Sequence, residues 1–335
     1  MDEAAPRVSV IVPAFQASAT IERCVHALSA QTLPRDQYEV IVVDDGSTDS
    51  TATRARQAGA RVIRLARNMG PAAARNAGLA IARGETVVFT DADCEPTEQF
   101  LAALTEHLHD PHVGGSKGVY LSRQRALVAR FVQLEYETRY EHTARHAALD
   151  FVDTYACCFR RDDILRIGGF DKRLRACEDQ EMSFRLAEAG VRIRFAPDAR
   201  TYHLHCDELW GYVRKKFEIA RWKARVLRHH PSRILRDSHT PQTLKVEIAT
   251  AYAICATLMF HTLLRHRKRT WLPVAGALCA YVPLIAPLVL RGARRDPALA
   301  LAAPAILFCR DLALGAGLGV GILEAIGILG SADAG

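Results

Sequence analysis

The sequence predicts a doubly wound, mostly parallel α/β sheet followed by a membrane region, and three observations carry that expectation. Two short β-branched runs end in carboxylates: Val40-Ile41-Val42-Val43 before Asp44-Asp45-Gly46-Ser47-Thr48-Asp49, and Thr86-Val87-Val88-Phe89-Thr90 before Asp91-Ala92-Asp93. Continuous apolar runs of this length are typical of strands covered on both faces. Around them, strand-like runs alternate with helical spacing, the pattern of a parallel sheet with crossover helices. Beyond residue 245 the chain becomes strongly apolar.

Each element follows from its residues. Val8 to Val12 forms a first strand, closed by Pro13. Residues 18–29 place Ile21, Val25 and Leu28 on one helical face. A second strand covers 39–43, a helix 50–59 ends at Gly59, and a third strand covers 61–65. The helix over 71–83 has Pro71 in its first turn and Gly84 just past its end, the expected asymmetry. The fourth strand is 86–90. Residues 124–141 read as an amphipathic helix with Leu127, Phe131 and Leu134 on one side, and a helix within 171–190 ends at Gly190.

The stretch 210–230 mixes Arg214, Lys215, Lys216, Arg221, Lys223, Arg225 and Arg228 with Trp210, Tyr212, Phe217 and Trp222. Basic residues with aromatics on a helix suit a membrane surface. Ile248 to Leu264 follows without a charge. After the basic cluster Arg265 to Arg269 comes Trp271 to Leu290, uncharged and long enough to cross a hydrocarbon core of about 30 Å. Ala298 to Cys309 is short and is expected as an interfacial or re-entrant piece. Leu312 to Leu329 carries one charge, Glu324. The expected organisation is therefore an α/β domain over 1–238, with a basic interfacial segment over 207–237, and a membrane domain over 239–335 with about three crossings.

The formal net charge is +7, which favours an anionic partner. The excess lies beside apolar segments, so a membrane surface is expected and a nucleic acid is not. Nine cysteines form an odd set with no Cys-x-x-Cys spacing, the usage of reduced thiols and not of a zinc site or disulfide framework. The N-terminus is polar and lacks the pattern of a secretory signal. A multi-pass protein of the cell membrane with its α/β domain on the cytoplasmic side is expected. In such sheets ligands sit at the carboxyl ends of the strands. Carboxylates there repel a bare phosphate. They suit a nucleobase, a ribose, or a divalent cation that carries a phosphate. A nicotinamide enzyme is excluded, because the turn after the first strand reads Pro13-Ala14-Phe15 and has no Gly-x-Gly-x-x-Gly.

Val8 to Phe15, Val42 to Asp49, Asn68 to Gly78, Asp91-Ala92-Asp93, Gly168-Gly169-Phe170-Asp171 and Glu178-Asp179 follow one another in register over about residues 7 to 222. Together they resemble the family 2 glycosyltransferases. The resemblance implies a GT-A fold and inverting transfer from a nucleotide sugar. It implies that Pro13, Ala14 and Phe15 line the donor, and that Asp45 contacts the base, which favours a UDP- or dTDP-sugar. Arg75 would meet the ribose or diphosphate, and Asp91 the ribose or the metal's water shell. Asp93 and His203 would hold Mg²⁺ or Mn²⁺, and Asp179 would be the general base. Sugar-binding groups are expected within 93–120 and 153–180. Glu218-Ile219-Ala220-Arg221-Trp222 is similar to the Gln-x-x-Arg-Trp motif of processive synthases but has Glu for Gln. That departure favours single transfer, with Arg221 near the diphosphate. The acceptor is expected to be lipid-linked or otherwise membrane-associated. A processive polysaccharide synthase and a catalytically silent scaffold that binds nucleotide sugar stay open as alternatives.

Overall fold

A computed structural model describes residues 5–234, 241–263 and 271–330. The first half repeats a strand–helix unit: β1 (Val8–Ala14), α1 (Ile21–Ser29), β2 (Tyr38–Asp44), α2 (Thr51–Gln57), β3 (Arg61–Arg64), α3 (Pro71–Ile81) and β4 (Thr86–Thr90). These four strands are mutually parallel, so β1, β2 and β4 end on one edge of the sheet. The buried runs behave as their composition dictates: β1 and β2 are covered along nearly their whole length.

The chain continues with β5 (Cys94–Pro96), α4 (Phe100–Glu106), β6 (Gly115–Leu121), α5 (Leu127–Thr143), β7 (Ala156–Arg160), α6 (Arg161–Arg166), α7 (Glu178–Glu188) and β8 (Ile193–His203). The eight strands form one sheet in the order β3-β2-β1-β4-β7-β6-β8-β5. β7 runs antiparallel to β4 and β6, and β5 runs antiparallel to β8, so the sheet is mixed although parallel pairs dominate it. None of β5 to β8 stands out as a strand in the sequence. β5 has three residues, and β8 alternates between buried and exposed positions without an apolar run.

One core cluster joins Ile11, Ile41, Val43 and Phe89 of the sheet to Met182 and Leu186 of α7 and to Phe170 before it. Phe170 meets Phe89 edge-on with ring centres 5.2 Å apart, a contact worth about 1 kcal/mol beyond its burial. This packing holds α7 against the sheet. The turn after β2 depends on Gly46, whose φ is +75°; a Cβ there would stand 2.6 Å from the Arg67 carbonyl carbon. Gly46→Ala is expected to cost about 1–3 kcal/mol through strain. An unchanged melting temperature would show that the turn tolerates a side chain.

The chain divides into two compact units: residues 1–123 with 139–204, and 124–138 with 205–335. Composition places the division at 238, whereas packing places it at 204. The second unit contains the first part of α5, α8 (Leu209–His229), α9 (Thr243–Leu263), α10 (Leu272–Arg295) and α11 (Pro297–Ala325). The last three are long and apolar enough to cross a membrane. The cluster Arg265 to Arg269 and positions 235–237 lie outside the described residues.

α8 belongs here because it packs along α11. At Gly317 and Gly321 the two backbones come so close that a Cβ would lie 2.2 Å from the carbonyl oxygens of Phe217 and Arg221. Much of its basic charge is used inside the unit: Lys216 pairs with Glu135, and Arg221 and Arg225 with Glu324. Ala298 to Cys309 is not a separate interfacial piece. α11 runs straight through Arg310 and Asp311, because neighbouring helices satisfy both charges. Arg310 meets Glu135 and Glu247, and Asp311 accepts the Tyr281 hydroxyl at 2.7 Å. A charged pair met from the side need not end a buried helix.

Candidate active site

The first unit gathers polar side chains at the carboxyl ends of β1, β2 and β4. After β1, Pro13 is half-buried, Ala14 is buried, and Phe15 is about half exposed. Gln16 adopts a left-handed backbone (φ 50°), and its N–H donates to Ser47 Oγ at 2.9 Å. Its amide oxygen accepts from the N–H groups of Thr48 and Asp49, so the two loops brace each other. The Asp45 N–H donates to the Ala14 carbonyl at 2.8 Å. Asp45 is buried, and its two carboxylate oxygens accept the N–H groups of Met69 and Gly70, both at 2.8 Å. Burial raises its carboxyl above the usual range, while these two donors pull against that shift. Asp45 therefore ties the end of β2 to the turn that starts α3.

α3 opens on Pro71 and carries Arg75 one turn later. The Arg75 guanidinium is 4% exposed and lies between two carboxylates: Asp91 at 2.9 Å and Glu178 at 2.6 Å. Burial acts to lower its pKa, but Asp91, Glu178 and Asp179 outweigh burial and raise it. A charge this deeply buried is tolerated only when paired and hydrogen-bonded. Arg75 thereby joins α3, the end of β4 and the start of α7.

Cys177 adopts a left-handed conformation (φ 62°) just before α7, so Glu178 and Asp179 occupy its first turn, where the helix dipole favours anions. Asp179 is partly buried, and one of its oxygens accepts the Gln180 N–H at 2.7 Å. Burial, then the neighbouring Glu178 and Asp153 charges, hold its carboxyl well above the usual carboxylate range; Arg75 opposes them.

Asp93 is about half exposed, and its carboxylate lies 3.2 Å from His203 Nε2. The antiparallel register sets this pair: His203 at the end of β8 stands opposite Cys94 of β5. The His203 ring stacks on Tyr120 with centres 4.2 Å apart, and Tyr120 stacks in turn on Tyr155. Among the described residues no cluster of three or more His, Cys, Asp and Glu side chains has metal-binding geometry. An octahedral ion that keeps waters and shares substrate phosphates needs only one or two protein ligands. Asp93 with His203 fits that need.

Comparisons with known proteins bear on the family and the fold. The family model described as Glycosyl transferase family 2 matches residues 9–166. A pre-mycofactocin glycosyltransferase of Mycobacterium tuberculosis is 30% identical over 235 residues, which cover 68% of this chain and 48% of that one. The domain belongs to glycosyl transferase family 2. The Haloferax volcanii glycosyltransferase AglE is 27% identical over 68% of this chain and 76% of its own length. The chain spans about half the length of the mycobacterial relative. Among solved structures, a Pyrobaculum calidifontis mannosyltransferase solved with GDP-Man and Mn²⁺ overlays with a TM-score of 0.60 at 23% identity, covering 97% of this chain and 88% of that one. The overlay supports the GT-A fold.

The first compact unit contains Asp45, Arg75, Asp91, Asp93, Asp179 and His203, with the Pro13-Ala14-Phe15 turn beside Asp45. Arg221 belongs to the other unit, where Glu324 holds its guanidinium at 2.5–3.1 Å. Glu178 stands out in the sequence only as half of an acidic pair and Gln16 not at all, while Lys117, Tyr120, Asp153 and Tyr155 fall within the expected ranges 93–120 and 153–180 without a motif to single them out. Lys117 did carry a signal, being a charge within the strand-like run Gly115 to Leu121.

Proposed function

We propose that this protein moves a sugar from a nucleotide-diphosphate donor to a membrane-associated acceptor, with inversion, in a single displacement. One observation carries the reading: buried Arg75 pairs both with Asp91 at the end of β4 and with Glu178, the residue before Asp179 at the start of α7. The acceptor hydroxyl attacks the anomeric carbon, Asp179 takes its proton, and the bond to the nucleoside diphosphate breaks. Pro13, Ala14 and Phe15 line the donor, and Asp91 binds the ribose. Arg75 fixes the orientation of Asp91 and Glu178. Asp93 and His203 would hold Mg²⁺ or Mn²⁺, which supplies charge neutralisation for the leaving diphosphate.

A UDP- or dTDP-sugar is the favoured donor. Each Asp45 oxygen already accepts one backbone N–H and keeps a second lone pair, which can take the base N3–H. Arg221, the remaining donor assignment, is clasped by Glu324 within its own unit. The three apolar helices support a multi-pass protein; a catalytic domain on the cytoplasmic face and a lipid-linked acceptor belong to the same proposal. Glu218 in place of the processive-synthase glutamine supports one transfer per encounter.

The test is donor binding by the full-length protein in detergent. Melting temperature is read with UDP-, dTDP- and GDP-sugars, each with Mn²⁺ or with EDTA. A donor at 100 times its Kd stabilises by about 2.7 kcal/mol. A rise in melting temperature with a UDP- or dTDP-sugar, dependent on Mn²⁺, is expected. Stabilisation by GDP-sugars alone would overturn the base assignment. Stabilisation without release of nucleoside diphosphate under any condition would favour the silent scaffold. Long products on a labelled primer would favour the processive synthase.

A further inference from the structure

Lys117, on β6, is enclosed: its side chain is 1% exposed. Its ammonium forms an ion pair with Asp153 and stands 5.3 Å from the centre of the Phe151 ring. A lysine buried this deeply carries a penalty of several kcal/mol unless it is paired. The sheet does not require a charge there. Its chain neighbours are Ser116 and Gly118, and its partner across β7 is Cys157.

The segment that carries Asp153 is fastened to the first turn of α7. The Val152 N–H donates to Ser183 Oγ at 3.0 Å, and the Ser183 hydroxyl donates to the Asp179 carbonyl at 2.6 Å. Asp153 is thus held from two sides, by Lys117 through its carboxylate and by Ser183 through its neighbour's backbone.

We propose that Lys117 and Asp153 are a positioning pair for Asp179, in which buried Lys117 holds the Asp153 carboxylate in place while the adjoining backbone is fastened to the first turn of α7. This inference rests on the reading of Asp179 as the general base. The groups whose charge acts on Asp179 are Glu178 on its own helix, Asp153 from the loop before β7 and Arg75 from α3, and the Cys157 thiol on β7 feels its charge in turn. Burial favours the protonated acid most, then Glu178, then Asp153; Arg75 and the Gln180 N–H favour the carboxylate. A fixed anion at position 153 therefore keeps a proton on Asp179 to higher pH. An aspartate with an ordinary pKa near 3.9 is a weak base, and proton transfer is most efficient when the acceptor's pKa lies near the working pH.

The sign of the effect follows. Asp153→Asn removes a charge that favours protonation, so Asp179 should lose its proton at lower pH than in the wild type. That variant leaves Lys117 buried without its partner and is prone to unfold. Lys117→Met/Asp153→Asn removes both charges, strands neither, and should fold. The shift should persist in the double variant, because the Asp153 carboxylate is the member whose charge acts on Asp179.

The experiment is an infrared pH titration of the full-length protein in detergent, with EDTA present. The protonated Asp179 carboxyl is the band that disappears in Asp179→Asn. The expected result is a band that vanishes at lower pH in Asp153→Asn and in the double variant than in the wild type. A band that titrates at the same or higher pH in the folded variants would overturn the proposal. So would the absence of any wild-type band above the ordinary aspartate range. Donor turnover separates this proposal from the reading beneath it. Full transfer by Asp179→Asn would remove the base assignment whatever the titration shows. If the assignment holds, Asp153→Asn should lower kcat by less than Asp179→Asn and leave the donor KM unchanged.

Discussion

Asp179→Asn should lower kcat by about 10²–10⁴-fold, the usual cost of losing a general base, with donor affinity nearly unchanged. The variant keeps the shape of the side chain and an oxygen that can still accept the Gln180 N–H. It removes a negative charge from a pocket where Glu178 and Asp153 already crowd Asp179. Relief of that repulsion means the melting temperature should hold or rise, so a loss of rate cannot be put down to unfolding. Rates over a pH series, with donor binding measured in parallel, check the expectation. A collapse of donor binding would make Asp179 a binding group, and an unchanged kcat would end its role as base.

Asp93→Ala should be almost as damaging to turnover and nearly silent in the fold. The side chain is about half exposed at the end of the buried sheet, and surface substitutions of this kind usually stay within about 0.5 kcal/mol. Charge neutralisation at a leaving diphosphate is worth several kcal/mol, so a fall of about 10²–10⁴-fold in kcat is expected. The second readout does not depend on activity. The gain in melting temperature that Mn²⁺ adds to donor binding should vanish in the variant. Full turnover in excess EDTA, or a Mn²⁺ effect that survives the substitution, would remove Asp93 from the metal site.

The catalytic domain was legible where structure is local. β1, β2 and β4 are buried on both faces, so their sequences are continuous β-branched runs, and the parallel order follows from helices placed between them. The acidic residues after these strands could be assigned to the ligand edge because parallel strands place their carboxyl ends together. β5 to β8 were not legible. β7 and β5 pair antiparallel with strands distant in sequence, and β8 presents every few residues to solvent. A half-exposed strand reads like a loop when its partner is unknown.

The sequence by itself determined the sheet edge, the kinds of side chain gathered there, and the presence of apolar segments long enough to cross a membrane. All of these are properties of contiguous residues. Only the tertiary structure decided which charge meets which. Arg75 and Glu178 are 103 positions apart, and so are Arg221 and Glu324. Asp45 spends hydrogen bonds on a turn 24 and 25 residues away. Arg310 and Asp311, which look like the end of an apolar segment, sit inside α11 because Glu135, Glu247 and Tyr281 reach them from other helices. A buried charge persists only where a partner offsets its desolvation. The pattern along the chain shows where the charges are, and the fold alone supplies their partners.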